Sequence, residues 1–226
     1  MFYGALEFSR DTDIAILAEA RNLQRLSRAL DRLQAKCIAV PHFFIRYLKR
    51  GHAIHFRCYH TEVIGIRVDV MSVMRGVAPF AELWQRRTTV ETESGEKYEL
   101  ISLPDLVQTK KTQRDKDWPM IRRLLEAHYS QYRNKPAPAQ IDFWLKESRT
   151  ISLLMQLAKK YPGRLSALIS QRPLLALAKT GDKEGLEIAL EEEEKKERKA
   201  DREYWRPLIA ELERLRHKKP QSRLNP

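Results

Sequence analysis

The chain has 226 residues, of which 42% are hydrophobic and 32% are charged, so it is long and apolar enough to fold around a core. Its apolar stretches are far shorter than the roughly 20 residues needed to span a bilayer, and no secretory signal is evident. We therefore expect a cytoplasmic protein that does not enter a membrane. The formal net charge of +12 favours polyanionic partners such as nucleotides or nucleic acid, without choosing among them.

The first half of the chain predicts strands alternating with helices. Residues 7–17 predict a strand that places Asp11 and Asp13 on one face. Residues 18–36 predict an amphipathic helix, because leucines recur there at three- and four-residue steps. Alternation and turn signals further predict a hairpin at 52–71 and a second hairpin at 88–101. A short helix is predicted between them, at 78–86.

The second half predicts helices almost throughout. Ser102 is the expected N-cap of a helix that ends near Lys111, and Asp117 is expected to pair locally with Arg114 or Lys116. Two prolines within 134–139 predict a linker. The remaining predicted helices are at 116–132, 140–160, 164–170, 172–179 and 183–217. The expected fold class is α/β (α+β), with a first domain over 1–133 and a helical region over 140–226.

Three aspartates form the pattern that suggests chemistry. Asp11 and Asp13 stand two residues apart on a predicted strand, and Asp69 lies on the polar face of an otherwise apolar strand. Converging carboxylates repel one another unless a cation compensates them, and hard oxygen donors suit Mg²⁺. Carboxylates with Mg²⁺ are typical of phosphoryl or nucleotidyl transfer. The plain alternative is that these acids simply face water.

The same residues carry a family resemblance. The run from Gly4 to Ile16, with its Asp-x-Asp pair, resembles the central motif of nucleotidyltransferases of the minimal and abortive-infection-toxin type. The run from Ile66 to Val70 is similar to the strand with that family's third acid. A third block begins at Ile101 and reaches Asp117, and it is similar to the helix that follows in the family.

The resemblance implies a nucleotidyltransferase-like mixed sheet flanked by helices, with a C-terminal helical extension. Asp11, Asp13 and Asp69 would be the catalytic acids and would hold Mg²⁺, and Asp69 would assist deprotonation of the acceptor. The residues expected to contact the nucleotide are Gly4, Ser9 and Lys110. The substrate would be a nucleoside triphosphate (ATP or another NTP), and its NMP would pass to a protein, a tRNA or a small molecule. A toxin–antitoxin or phage-defence context, with an antitoxin partner, is also implied.

Two other hypotheses follow from the same residues. The family carries a Gly-Gly or Gly-Ser turn ahead of the Asp pair, and the residues printed before Asp11 do not include one. The chain is therefore alternatively a catalytically inactive relative that acts as a binding or regulatory protein. The excess of basic residues also allows a nucleic-acid-binding protein of α/β class, although no single basic stripe is evident.

Overall fold

A computed structural model describes Tyr3 and residues 11–217, and this part of the chain divides into two compact units. The sheet unit comprises residues 11–101 and 203–217, and the helical unit comprises Tyr3 and residues 102–202. The predicted mixture of helices with a small mixed sheet is confirmed. The predicted linker at 134–139 lies inside the helical unit, and the domain assignment 1–133 and 140–226 stays a prediction.

The sheet unit is built on four strands. In spatial order β1-β4-β3-β2, β1 pairs parallel with β4, and the other pairs are antiparallel. The predicted hairpin of 52–71 is therefore confirmed as β3 and β4. The bounds of the four strands are β1 (Asp11–Ala15), β2 (Lys36–Cys37), β3 (Ile54–Arg57) and β4 (Arg67–Met71).

One face of this sheet carries the core of the unit. Ile54, Phe56, Val68 and Val70 are all at most 6% exposed. The leucines of helix α1 (Ala20–Arg32) pack against the same cluster, as their spacing predicts. Since side chains alternate along a strand, the residues between these apolar positions lie on the opposite face.

The rest of the sheet unit consists of short elements. Helix α3 (Phe80–Gln85) and a second hairpin, formed by β5 (Thr88–Glu91) and β6 (Lys97–Leu100), confirm the sequence predictions. Helix α2 (Ile45–Lys49) was not predicted, because five residues are too few to show a helical period. No helix among the described residues is long and apolar enough to cross a membrane.

The helical unit packs its helices around a single apolar cluster. Trp118, Trp144 and Leu154 are at most 2% exposed at the centre of that cluster. The predicted N-cap is confirmed, since Ser102 Oγ accepts a hydrogen bond from the Asp105 N–H at 3.3 Å. The helices are α4 (Leu103–Thr109), α5 (Asp117–Tyr132), α6 (Pro138–Glu147), α7 (Ile151–Lys160), α8 (Pro162–Leu168), α9 (Leu175–Thr180) and α10 (Lys183–His217), of which residues 203–217 belong to the sheet unit. Helix α10 continues through Pro207 rather than breaking there.

The prediction of one helix over 140–160 is wrong, because the chain leaves the helical conformation between α6 and α7. Ser148 and Thr150 both have extended backbones. The last carbonyl groups of a helix lack hydrogen-bond partners within that helix. At the end of α6, the guanidinium of Arg172 donates to two such carbonyl groups. Its Nη1 donates to Leu145 O at 2.8 Å and its Nη2 donates to Ser148 O at 2.9 Å. A buried side chain from elsewhere in the unit therefore stabilises the break.

Candidate active site

The pairing of β1 with β4 brings the three predicted aspartates onto one face of the sheet. Asp13 lies opposite Asp69, and Asp11 lies opposite Arg67. Adjacent strands are roughly 4.8 Å apart, so Asp13 and Asp69 are direct neighbours. We refer to Asp11, Asp13 and Asp69 with Arg67 and His55 as the acidic face.

Arg67 is the cation at the centre of the acidic face. Its Nε donates to Asp69 Oδ1 at 2.7 Å and its Nη2 donates to Asp69 Oδ2 at 2.8 Å, which makes a two-pronged ion pair. This hydrogen bonding to Asp69 raises the pKa of Arg67 above its usual value, and the charges of Asp11 and Asp13 act in the same direction. Arg67 therefore offsets the mutual repulsion of the three carboxylates.

His55 completes the immediate surroundings of Asp69. The antiparallel register of β3 and β4 places His55 opposite Asp69. Its Nδ1 lies 2.8 Å from Asp69 Oδ1 and 3.0 Å from Arg67 Nη2. When Nδ1 carries a proton it donates to the carboxylate, and when it does not it accepts from the guanidinium. His55 Nδ1 therefore has a hydrogen-bond partner in either case.

The members of the acidic face differ in their access to solvent. Asp11 and Asp13 are exposed, whereas the side chain of Asp69 is only 13% exposed. Arg57 lies opposite Arg67 at the same level of the sheet and is also exposed. The face thus presents two accessible carboxylates beside a third that is held in place by its neighbours.

The donor chemistry of this face suits a divalent cation, although the arrangement itself is not a metal cage. Three carboxylates on two hydrogen-bonded strands offer the hard oxygens that Mg²⁺ prefers. Within residues 11–217 and Tyr3, however, no group of three or more histidine, cysteine, aspartate or glutamate side chains is positioned to hold a metal ion. Asp69 is bonded to Arg67 and His55 instead. Asp69 would have to exchange one of these partners to complete a metal site.

The other predicted nucleotide contacts are not part of this geometry. Gly4 and Ser9 lie outside the described residues. Lys110 belongs to the helical unit, where it forms the C-cap of α4 and is half-buried. Their roles stay predictions.

Sequence reasoning missed both groups that bond Asp69. The spacing of Arg67 and Asp69 already put them on one face, which was the available signal. His55 could not be assigned, because its place opposite Asp69 depends on the register across the connection between β3 and β4.

The fold and this face define an α+β protein with a carboxylate-rich sheet surface. The chain matches no protein-family model, and no curated protein or solved structure is significantly similar to it. The acidic face is therefore the feature that points to its function.

Proposed function

We propose that the chain is a Mg²⁺-dependent nucleotidyltransferase with a nucleotidyltransferase-like fold, whose acidic face is the catalytic site. The observation that carries this proposal is the register of β1 and β4, which places Asp13 opposite Asp69 and Asp11 two residues away on the same face. Asp11, Asp13 and Asp69 would hold the metal. When bound, Mg²⁺ would neutralise the charge of the triphosphate and activate its α-phosphorus.

The protein groups would position the acceptor and handle its proton. As the hydroxyl oxygen of the acceptor bonds to the α-phosphorus, pyrophosphate leaves and the hydroxyl proton passes to Asp69. Because His55 Nδ1 lies 2.8 Å from Asp69 Oδ1, it could then take up that proton. Arg67 would keep the Asp69 carboxylate oriented through the hydrogen bond that remains once the other oxygen has exchanged its partner for the metal. The acceptor would be a protein, a tRNA or a small molecule, and an antitoxin partner would regulate the activity.

A transfer assay tests this proposal. The purified chain is incubated with each α-phosphate-labelled NTP, Mg²⁺ and either total tRNA or cellular protein as the acceptor. Asp11→Asn combined with Asp13→Asn should reduce label transfer by about 100-fold or more, as expected when a major electrostatic stabiliser is removed. The matched control is Asp31→Asn, an exposed aspartate on α1, and it should transfer label normally. Equal transfer by the wild type and the double variant would refute the assignment of these acids.

A second candidate function rests on a separate observation. Asp69 is hydrogen-bonded to Arg67 and His55. In the described part of the chain, no cluster of three or more histidine, cysteine, aspartate or glutamate side chains is arranged to hold a metal ion. This favours a catalytically inactive relative that binds a protein or nucleic-acid partner. Titration with Mn²⁺ as a spectroscopic substitute for Mg²⁺ separates the two candidates. Wild-type protein that is folded, binds no Mn²⁺ and transfers no label would support the inactive relative.

A further inference from the structure

A cavity in the helical unit collects a surplus of positive charge. Its volume is about 360 Å³, which falls at the lower end of the range for small-molecule sites. Every residue that lines it belongs to the helical unit. Five of these are cationic side chains: Lys111, Lys146, Arg149, Arg172 and Lys196. The lining carboxylates are Glu147, Glu193 and Glu197, so the cations exceed them by two.

The cationic side chains at the base of the cavity are buried. Lys111 is 7% exposed, Arg149 is 8% exposed and Arg172 is 5% exposed. Burial of a charge is costly unless a partner compensates it. Lys111 Nζ has such a partner, since it lies 2.7 Å from Glu147 Oε2. The two arginines are compensated less completely.

A single carboxylate serves both buried arginines. Glu193 accepts hydrogen bonds from Arg172 Nε and Nη2 at 3.1 and 2.8 Å, and from Arg149 Nη1 at 3.1 Å. Arg172 also donates hydrogen bonds to carbonyl groups at the end of helix α6, so each of its three nitrogens has a hydrogen-bond partner. Arg149 Nε, in contrast, is buried without a hydrogen-bond partner among the described residues. Burial lowers the pKa of Arg149 and the neighbouring charge of Arg172 acts in the same direction, whereas the charges of the three lining carboxylates oppose this shift without cancelling it.

We propose that this cavity binds a phosphoryl group of a small phosphate-bearing molecule, with Arg149 as its main anchor. A phosphate carries close to two negative charges at neutral pH, which matches the cationic surplus. The planar fork of an arginine suits phosphate oxygens, and Arg149 both lines the cavity and leaves its Nε without a hydrogen-bond partner among the described residues. Lys146 and Lys196 are exposed, and they would attract the anion and contact it as point charges.

The test uses two probes, inorganic phosphate and glycerol 3-phosphate, at constant ionic strength. EDTA is present and no nucleotide is added, so the outcome is independent of the acidic face. Binding is measured by calorimetry and by the fluorescence of Trp118, because Arg149 Cζ lies 5.2 Å from the centre of the Trp118 ring. Both signals should saturate, and the fluorescence change should be absent in Trp118→Phe. Tighter binding of the ester would identify a phosphorylated small molecule as the ligand, and tighter binding of inorganic phosphate would identify the free anion.

Three variants locate the site. Lys146→Ala combined with Lys196→Ala should weaken binding by about tenfold or more, corresponding to the loss of one or two charge-assisted contacts. Arg149→Lys keeps the charge but loses the fork, and it should weaken binding similarly. The matched control combines Lys159→Ala with Lys199→Ala, two exposed lysines outside the cavity, and it should bind normally.

Two results would overturn the proposal. The first is that neither probe binds the wild-type chain at millimolar concentration. The second is that the control variant loses as much affinity as the Lys146 and Lys196 variant, since this would indicate diffuse attraction to a cationic protein. If Arg149→Lys fails to fold, as judged by circular dichroism, the exposed lysine pair still decides the outcome.

Discussion

The acidic face and the cationic cavity solve the same electrostatic problem with opposite signs. In the sheet unit, Arg67 lies among three carboxylates and holds the least exposed of them, Asp69. In the helical unit, Glu193 holds two buried arginines. In both places one side chain pairs with neighbours of the opposite sign, and the sign of the excess charge sets which ligand charge the surface favours. The first surface favours a cation and the second an anion.

The largest effect should follow from neutralising Glu193, the carboxylate that pairs with both buried arginines of the cavity. Glu193→Gln leaves Arg149 and Arg172 without their shared carboxylate, and both side chains are only 6% exposed. Because Glu193 itself is 30% exposed, removing its charge should lower the free energy of unfolding by about 3 kcal/mol, the low end for a broken buried pair. Urea unfolding followed by circular dichroism measures this loss. Inorganic phosphate should restore part of it, because a ligand that binds only the folded state stabilises that state.

The control for that change lies one residue earlier on the same helix. Glu192 is exposed and pairs with the exposed Lys195. Glu192→Gln should therefore cost less than about 1 kcal/mol. Equal losses of unfolding free energy for Glu192→Gln and Glu193→Gln would show that Glu193 does not stabilise the two buried arginines.

The corresponding change on the acidic face is Arg67→Gln. It removes the two hydrogen bonds to Asp69 and leaves three carboxylates close together, so we expect a loss of about 2 kcal/mol. Mg²⁺ should restore stability to this variant more than to the wild type. Arg57→Gln, at an exposed position opposite Arg67, is the matched control and should change little. An Arg67→Gln protein that is indifferent to Mg²⁺ would count against a metal site at this face.

A smaller effect is expected at Glu211, which lies away from both surfaces and forms an ion pair with Arg50. In the sheet unit, His52 Nε2 lies 2.8 Å from Glu211 Oε2; this hydrogen bond lowers the pKa of Glu211 below its usual 4.5, and the charge of Arg50 acts in the same direction. The stabilisation is therefore present above pH 4.5 and is lost as the pH falls through the lowered pKa. Glu211→Gln should unfold at a lower temperature than the wild type at neutral pH, by an amount that corresponds to about 1 kcal/mol. The two melting temperatures should converge as the pH falls below the lowered pKa of Glu211; a constant difference would exclude this linkage.

The smallest effect on stability should come from His128, whose neutral form is favoured in the folded protein. Burial lowers the pKa of His128 below its usual 6.5, and its Nδ1 accepts a hydrogen bond from Trp144 Nε1 at 2.8 Å. Neutral His128 is therefore favoured in the folded state, so its contribution is complete above pH 6.5 and falls as the pH drops below that value. The melting temperature of the wild type should decline modestly across this window. His128→Gln should flatten that part of the profile, and an unchanged slope would contradict the assignment.

Local patterns in the sequence were sufficient for contacts between residues that are close in the chain, in both units. Alternation along β4 placed Asp69 and Arg67 on the face opposite Val68 and Val70, and burial agrees with that division. The pairing of Asp117 with Arg114 was also predictable, because three residues separate them, and Arg114 Nε donates to Asp117 Oδ2 at 2.8 Å. Contacts of this kind depend on the period of a strand or a helix, which neighbouring residues establish.

The acidic stretch near residues 191–198 shows where local reasoning ends. Its alternating charges predict a solvated helix face, and the Glu191–Lys195 pair at 3.7 Å is such a contact. Glu193 instead turns toward Arg149 and Arg172, which lie 44 and 21 residues earlier in the chain. Sequence spacing over such separations carries no information on distance, because the intervening helices determine it.

The sequence by itself determined every strand except β2, most of the helices and the polar sides of β1 and β4, because these follow from periodicity and turn chemistry. Only the tertiary structure decided that Asp13 faces Asp69, that Arg67 and His55 bond the same carboxylate, and that buried arginines gather around Glu193. Strand register depends on how the connections close, and the cavity depends on how separate helices pack. Both are set by the burial of the whole apolar core rather than by any local segment.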